Sequence, residues 1–110
     1  MSIRAIYIPI LYNSHLDPIK LRVVCCGLEE EGVPFLLQGR EDQKNYIELG
    51  ADAAAMSPLQ VGIGIDQEGK VCVHHEKLKQ ETPYLEDTLQ NARSMGQNAA
   101  RLVKGLPLSL

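Results

Sequence analysis

The chain has 110 residues, 45% of them apolar and 23% charged, with a formal net charge of −3. That length suits one hydrophobic core, so residues 1–110 are expected to form a single α/β domain of ordinary globular composition. The acidic balance comes without any Lys/Arg cluster and no apolar run is long enough to span a bilayer, so nucleic acid and membranes are not expected partners.

Met1-Ser2-Ile3-Arg4 leads straight into a strand-like segment, without the regions of a signal peptide. The three cysteines, two of them adjacent, make no disulfide framework, and a cytoplasmic chain with buried thiols is the expectation. Residues 3–12 are almost uninterrupted in hydrophobicity and rich in β-branched and aromatic side chains, which predicts a strand covered on both faces. Pro9 cannot donate to a ladder, so it marks either a bulge or a point without a neighbour on that side. Asn13-Ser14-His15 follows as a polar loop. In a parallel sheet ligands bind at this end of a strand, which makes His15 a candidate, although a lone loop histidine is more often merely solvated.

Residues 18–31 carry every sign of a helix. Asp17 suits the N-cap and Pro18 the first helical position, where a missing N–H costs nothing. Leu21, Val24, Cys25 and Leu28 fall on one face. Gly32 supplies the left-handed stop and Pro34 bars continuation. The last turn holds Glu29, Glu30 and Glu31, at the end where the helix dipole disfavours negative charge. Two readings of this acidic knuckle stand: a solvated helix end, or a contact with something cationic, either a basic surface or a metal ion.

A short strand is expected at residues 33–37, a polar loop from Gln38 to Lys44, and a second helix from about Lys44 to Met56. Gly50 weakens that helix by about 1 kcal/mol relative to alanine, while its alanine-rich end permits close approach to a sheet. Ser57 to Gln60 form a turn. Residues 61–65 (Val-Gly-Ile-Gly-Ile) predict a third strand whose glycines admit either a neighbouring backbone or a ligand. They are no dinucleotide fingerprint, because the third glycine and the helix are missing. Asp66-Gln67-Glu68-Gly69 should turn that strand into an antiparallel partner at residues 70–74.

Two constellations look chemical and are read as structural. Cys25 and Cys26 diverge by about 100° on a helix, and Cys25 belongs to the apolar stripe. His74 and His75 point to opposite faces of a strand, so they do not chelate one metal. Beyond Leu78, Thr82-Pro83 suggests a helical turn, and Leu85, Leu89, Ala92 and Met95 hint at helical spacing. Residues 97–105 predict a final helix, with Arg101 and Lys104 at its C-terminal end and Gly105 as its cap.

The expected architecture is an open, doubly wound, mostly parallel sheet of about four strands, with helices on both faces and an antiparallel edge hairpin. No nucleophile–base set and no phosphate loop accompanies it, which favours a binding or regulatory subunit over an enzyme. The alternative is a stand-alone ligand-binding or enzyme domain, with His15 and the glycines of residues 61–65 at its site.

Three blocks, Gly27-Leu-Glu-Glu-Glu-Gly-Val-Pro-Phe35, Ser57-Pro-Leu-Gln-Val-Gly-Ile-Gly-Ile-Asp66 and Gln97-Asn-Ala-Ala-Arg-Leu-Val-Lys-Gly-Leu-Pro107, resemble in order and spacing the small subunit of glycerol/diol dehydratase reactivase. The resemblance implies a cytoplasmic, non-catalytic chain, free or inside a bacterial microcompartment, that resembles the dehydratase medium subunit in fold. It implies a large, actin-like ATPase partner in an α2β2 assembly, with Mg²⁺ and ATP or ADP held with that partner and no cofactor in this chain. Its implied task is rescue of an inactivated adenosylcobalamin-dependent dehydratase by subunit exchange on the dehydratase large subunit, which lets damaged cobalamin leave. It further implies that Glu29, Glu30 and Glu31 meet the ATPase partner and that Glu30 or Glu31 reaches its magnesium ion.

Overall fold

The computed structural model describes residues 6–108. The expectations for residues 1–5 lie outside the described residues. Five strands and three helices follow in the order β1 (Ile8–Asn13), α1 (Pro18–Glu30), β2 (Phe35–Arg40), α2 (Tyr46–Met56), β3 (Val61–Ile65), β4 (Lys70–His75), β5 (Leu85–Thr88) and α3 (Ala92–Lys104), with a short 3-10 turn at Leu89–Asn91. The sheet order is β2-β1-β3-β4-β5. β1 lies parallel to both β2 and β3, and β4 and β5 continue the sheet antiparallel. The open α/β sheet expected from the sequence, with a parallel core and an antiparallel edge, is therefore present, with one strand more than foreseen.

β1 and β3 form the buried centre, and Pro9 fits there for a simple reason. The ladder with β3 begins only at Ile10, opposite Ile63. Pro9 precedes it, so no neighbour on that side asks for its missing N–H.

α1 starts as its residues require. The Asp17 carboxylate accepts the Ile19 N–H at 2.9 Å. At the other end Gly32 takes a left-handed φ of 72°, and the Val33 N–H reaches back to the Leu28 carbonyl at 3.1 Å. Val33 thus closes the helix, and β2 begins at Phe35, two residues later than expected, and runs on through Gln38 to Arg40. The polar end of β2 misled the pattern, because an edge strand buries neither face and need not alternate.

α2 opens with a capping box in which Asn45 accepts the Glu48 N–H at 2.8 Å and Glu48 accepts the Asn45 N–H at 3.1 Å. It covers one face of the sheet at backbone contact. A side chain on Gly62 would strike Ala53 and Ala54, and one on Gly64 would strike Tyr46 and Gly50. The two strand glycines therefore admit a helix.

The stretch after Leu78 corrects the sequence reading. Leu85, Leu89, Ala92 and Met95 carry helical spacing, yet residues 85–88 are a strand, with Leu85 opposite Val73 and Glu86 opposite Cys72. The open edge of β4 recruits them, and pairing outweighs local propensity. The helix starts at Ala92, before the expected residue 97, and ends as foreseen at Gly105, with a left-handed φ of 71°. α1 and α3 pack together on the face opposite α2, and Leu21, Val24, Leu28, Met95 and Ala99 meet Ile8, Ile10, Ile63 and Val73 in the main core.

Candidate partner interface at the end of helix α1

The crossing of α1 and α3 is set by two glycines. A side chain at Gly27 would collide with the Arg93 carbonyl and one at Gly96 with the Val24 carbonyl. The two helices touch backbone to backbone, which brings the last turn of α1 alongside the polar face of α3.

On that face Arg93, Gln97, Arg101 and Lys104 succeed one another at intervals of four, four and three residues, a single helical stripe. The Arg93 guanidinium stands 2.7 Å from Glu30 Oε1, and the Gln97 amide donates to Glu30 Oε2 at 2.9 Å. Arg101 Nε lies 3.4 Å from Glu31 Oε1 and Lys104 Nζ 3.9 Å from it. Lys104 also donates to the Glu31 backbone carbonyl. The Arg93 hydrogen bond, with lesser help from Gln97, holds the Glu30 carboxyl below the usual carboxylate range against the opposing effect of desolvation. Glu31 is mostly covered, with 18% of its side chain exposed, against 35% for Glu30. Glu29 is exposed and takes part in no ion pair among the described residues.

The knuckle is thus neither a bare solvated end nor an unanswered cluster of charge. α3 supplies cations that offset both the helix dipole and the mutual repulsion. Sequence reasoning placed Arg101 and Lys104 at a helix end but missed their partners. The signal was there in the four-residue spacing from Arg93, but it needed the glycine crossing to give it a target. Chemically, a carboxylate accepts at about four lone-pair positions, so Glu30 and Glu31 retain acceptor capacity. Among the described residues no cluster of three or more ligating side chains is present. The carboxylate oxygens of Glu30 and Glu31 are by their chemistry hard donors.

The remaining candidates fall elsewhere. His15 is exposed, its N–H bonded to the Asn13 side chain at 2.9 Å. It borders a polar hollow of about 400 Å³ with Lys44, Asn45 and Asp66. Those groups are spent locally: Lys44 on Asp52 at 2.6 Å, Asn45 on the α2 cap, and Asp66 on the N–H groups of Glu68 and Lys70, both at 2.9 Å. Gly62 and Gly64 lie beneath α2, so the alternative site is not assembled. His74 is buried, with Nε2 2.9 Å from the Gln80 carbonyl, whereas His75 turns the other way and accepts the Lys77 N–H. Burial pushes the Cys25 thiol up to about 11 and that of Cys72 to about 12, which leaves both unreactive.

A family described as dehydratase medium subunit matches residues 7–109. The chain belongs to that family. Among family relatives, the propanediol dehydratase-reactivating factor small subunit of Citrobacter freundii is 44% identical over 88 residues, 76% of this chain and 74% of the relative. A solved glycerol dehydratase reactivase superposes with a TM-score of 0.91 at 32% identity, over 96% of this chain and 98% of that one. A diol dehydratase-reactivating factor complexed with ADP and Mg²⁺ superposes with a TM-score of 0.87 at 36% identity, over 97% and 100% of the two chains. The resemblance carried by the three sequence blocks thus holds across the fold.

Proposed function

We propose that this chain is the small, non-catalytic subunit of an ATP-dependent factor that reactivates an adenosylcobalamin-dependent glycerol or propane-1,2-diol dehydratase. The observation that carries the reading is a double likeness: one fold matches both the dehydratase medium-subunit family and, over nearly its full length, a reactivase. A chain built like the medium subunit is suited to take that subunit's place on the dehydratase large subunit, opening the site from which damaged cobalamin leaves. In this reading the ATPase chemistry belongs to a large, actin-like partner in an α2β2 assembly in the cytoplasm, free or within a microcompartment.

The knuckle is the proposed contact with that partner, through Glu29, Glu30 and Glu31. Glu30 or Glu31 is the proposed donor to Mg²⁺ at the partner's nucleotide domain, since carboxylate oxygens are hard ligands suited to that ion. Bound there, the ion would supply positive charge beside the nucleotide phosphates. Arg93, Arg101 and Lys104 hold the same carboxylates within this chain, so docking requires those carboxylates to be shared or released.

The test is the affinity of the purified large subunit for wild type, Glu30→Gln and Glu31→Gln, with Mg²⁺ and after its chelation. Glutamine keeps an oxygen but no charge. The expected outcome is weaker binding by at least one variant with Mg²⁺ present, the difference shrinking on chelation. Unchanged affinity for both variants at saturating Mg²⁺ would remove the knuckle from the interface, and a wild-type chain that binds no large subunit would contradict the assignment itself.

A further inference from the structure

The two edges of the sheet are built in opposite ways. β5 is four residues long and carries Glu86 and Asp87, the short, charged form that discourages pairing. β2 is six residues long, uncharged from Phe35 to Gly39, paired with β1 on one side, and exposed from Leu36 to Gly39. Leu36 and Leu37 are exposed at 49% and 41%, on opposite faces. Arg40 does not guard this edge, because Asp42 holds it at 2.9 Å.

The backbone shows which groups remain unspent. The Ile8 N–H donates to the Pro34 carbonyl and the Ser14 N–H to the Arg40 carbonyl, each at 2.9 Å. In a parallel ladder, residues bonding one neighbour alternate with residues facing away. Pro34, Leu36, Gln38 and Arg40 therefore serve β1, while Phe35, Leu37 and Gly39 turn their N–H and C=O groups outward.

We propose that β2 is a self-complementary docking edge, on which a second copy of this chain lays its own β2 antiparallel about a two-fold axis through Leu37. That register opposes Leu37 to Leu37 and Phe35 to Gly39 of the other copy. These are the residues with free backbone groups, and each such pair exchanges both hydrogen bonds. The side chains agree with the register on both faces. Phe35 lies across from Gly39 of the other copy, beside the Tyr12 ring that already covers that glycine, and the two Leu37 side chains meet at the axis. On the other face Leu36 lies across from Gln38. No like charges are brought together, as they would be at Glu86 and Asp87 of β5. The neutral edge thus fits a copy of itself, and the acidic edge does not.

The test is sedimentation of the full chain from micromolar to millimolar concentration, with hydrogen exchange at both ends of the range. The expected result is a reversible dimer in which the amides of Phe35, Leu37 and Gly39 slow as the dimer fills, while those of Leu36 and Gln38 do not change. Leu37→Lys is expected to stay monomeric, and Ile19→Lys, which removes a still more exposed side chain from α1, to associate like wild type. Leu36→Lys repeats the test on the other face should Leu37→Lys fail to fold. A wild-type chain that stays monomeric throughout overturns the proposal, as does a dimer that survives both β2 substitutions. Protection of these amides only on adding the large subunit would overturn it too, giving the edge to that partner.

Discussion

Glu30 occupies a position that the helix dipole disfavours, and α3 supplies the compensation. The Arg93 guanidinium, with the Gln97 amide, lowers its carboxyl on folding. The sign follows from linkage: a carboxyl lowered in the folded state contributes stability that is present above its unfolded value and is lost as pH falls through the lowered one. The contact therefore helps the fold at neutral pH and fails in acid. Arg93→Ala is expected to move the Glu30 midpoint upward, toward the ordinary carboxylate range, in a pH titration followed by carboxyl NMR. A midpoint unmoved by that substitution would show that Arg93 does not hold Glu30 in solution.

Between elements, the crossing of α1 and α3 is what gives the knuckle its shape. Gly96→Ala would place a methyl against the Val24 carbonyl and 3.1 Å from the Leu28 amide nitrogen. Both are helix backbone and neither can step aside, so the expected cost is about 1–3 kcal/mol, despite alanine's better helix propensity. Urea unfolding measures the loss, and the Glu30 midpoint should rise in the same variant as the helices part. A neutral or stabilising Gly96→Ala would mean that the helices are not in backbone contact. The legibility of the fold divides along the same line. α1 was readable because Asp17, Pro18, the apolar stripe and Gly32 are local signals that agree. The hairpin of β3 and β4 was readable from Asp66 to Gly69 for the same reason. β5 was not readable, because residues 85–88 become a strand only when β4 presents an open edge to them. The site divides likewise: three consecutive glutamates stand out in any reading, but their pairing with Arg93 and Arg101 depends on Gly27 meeting Gly96 across the core.

At the scale of the whole molecule, one fold is proposed to serve two assemblies. A chain of the medium-subunit family that matches a reactivase over nearly its full length is proposed to move between a reactivating factor and a dehydratase. The acidic knuckle at the end of α1 is the contact proposed to hold it on the factor. The direct measurement uses the assembled factor, with this chain fluorescently labelled at an exposed surface position, mixed with dehydratase holoenzyme carrying damaged cobalamin in the presence of ATP and Mg²⁺. The species are then separated by native chromatography. The expected result is that label appears on the dehydratase large subunit, that medium subunit appears in its place on the factor, and that cobalamin is released in step with the transfer. Cobalamin release with all the label still on the factor would contradict it.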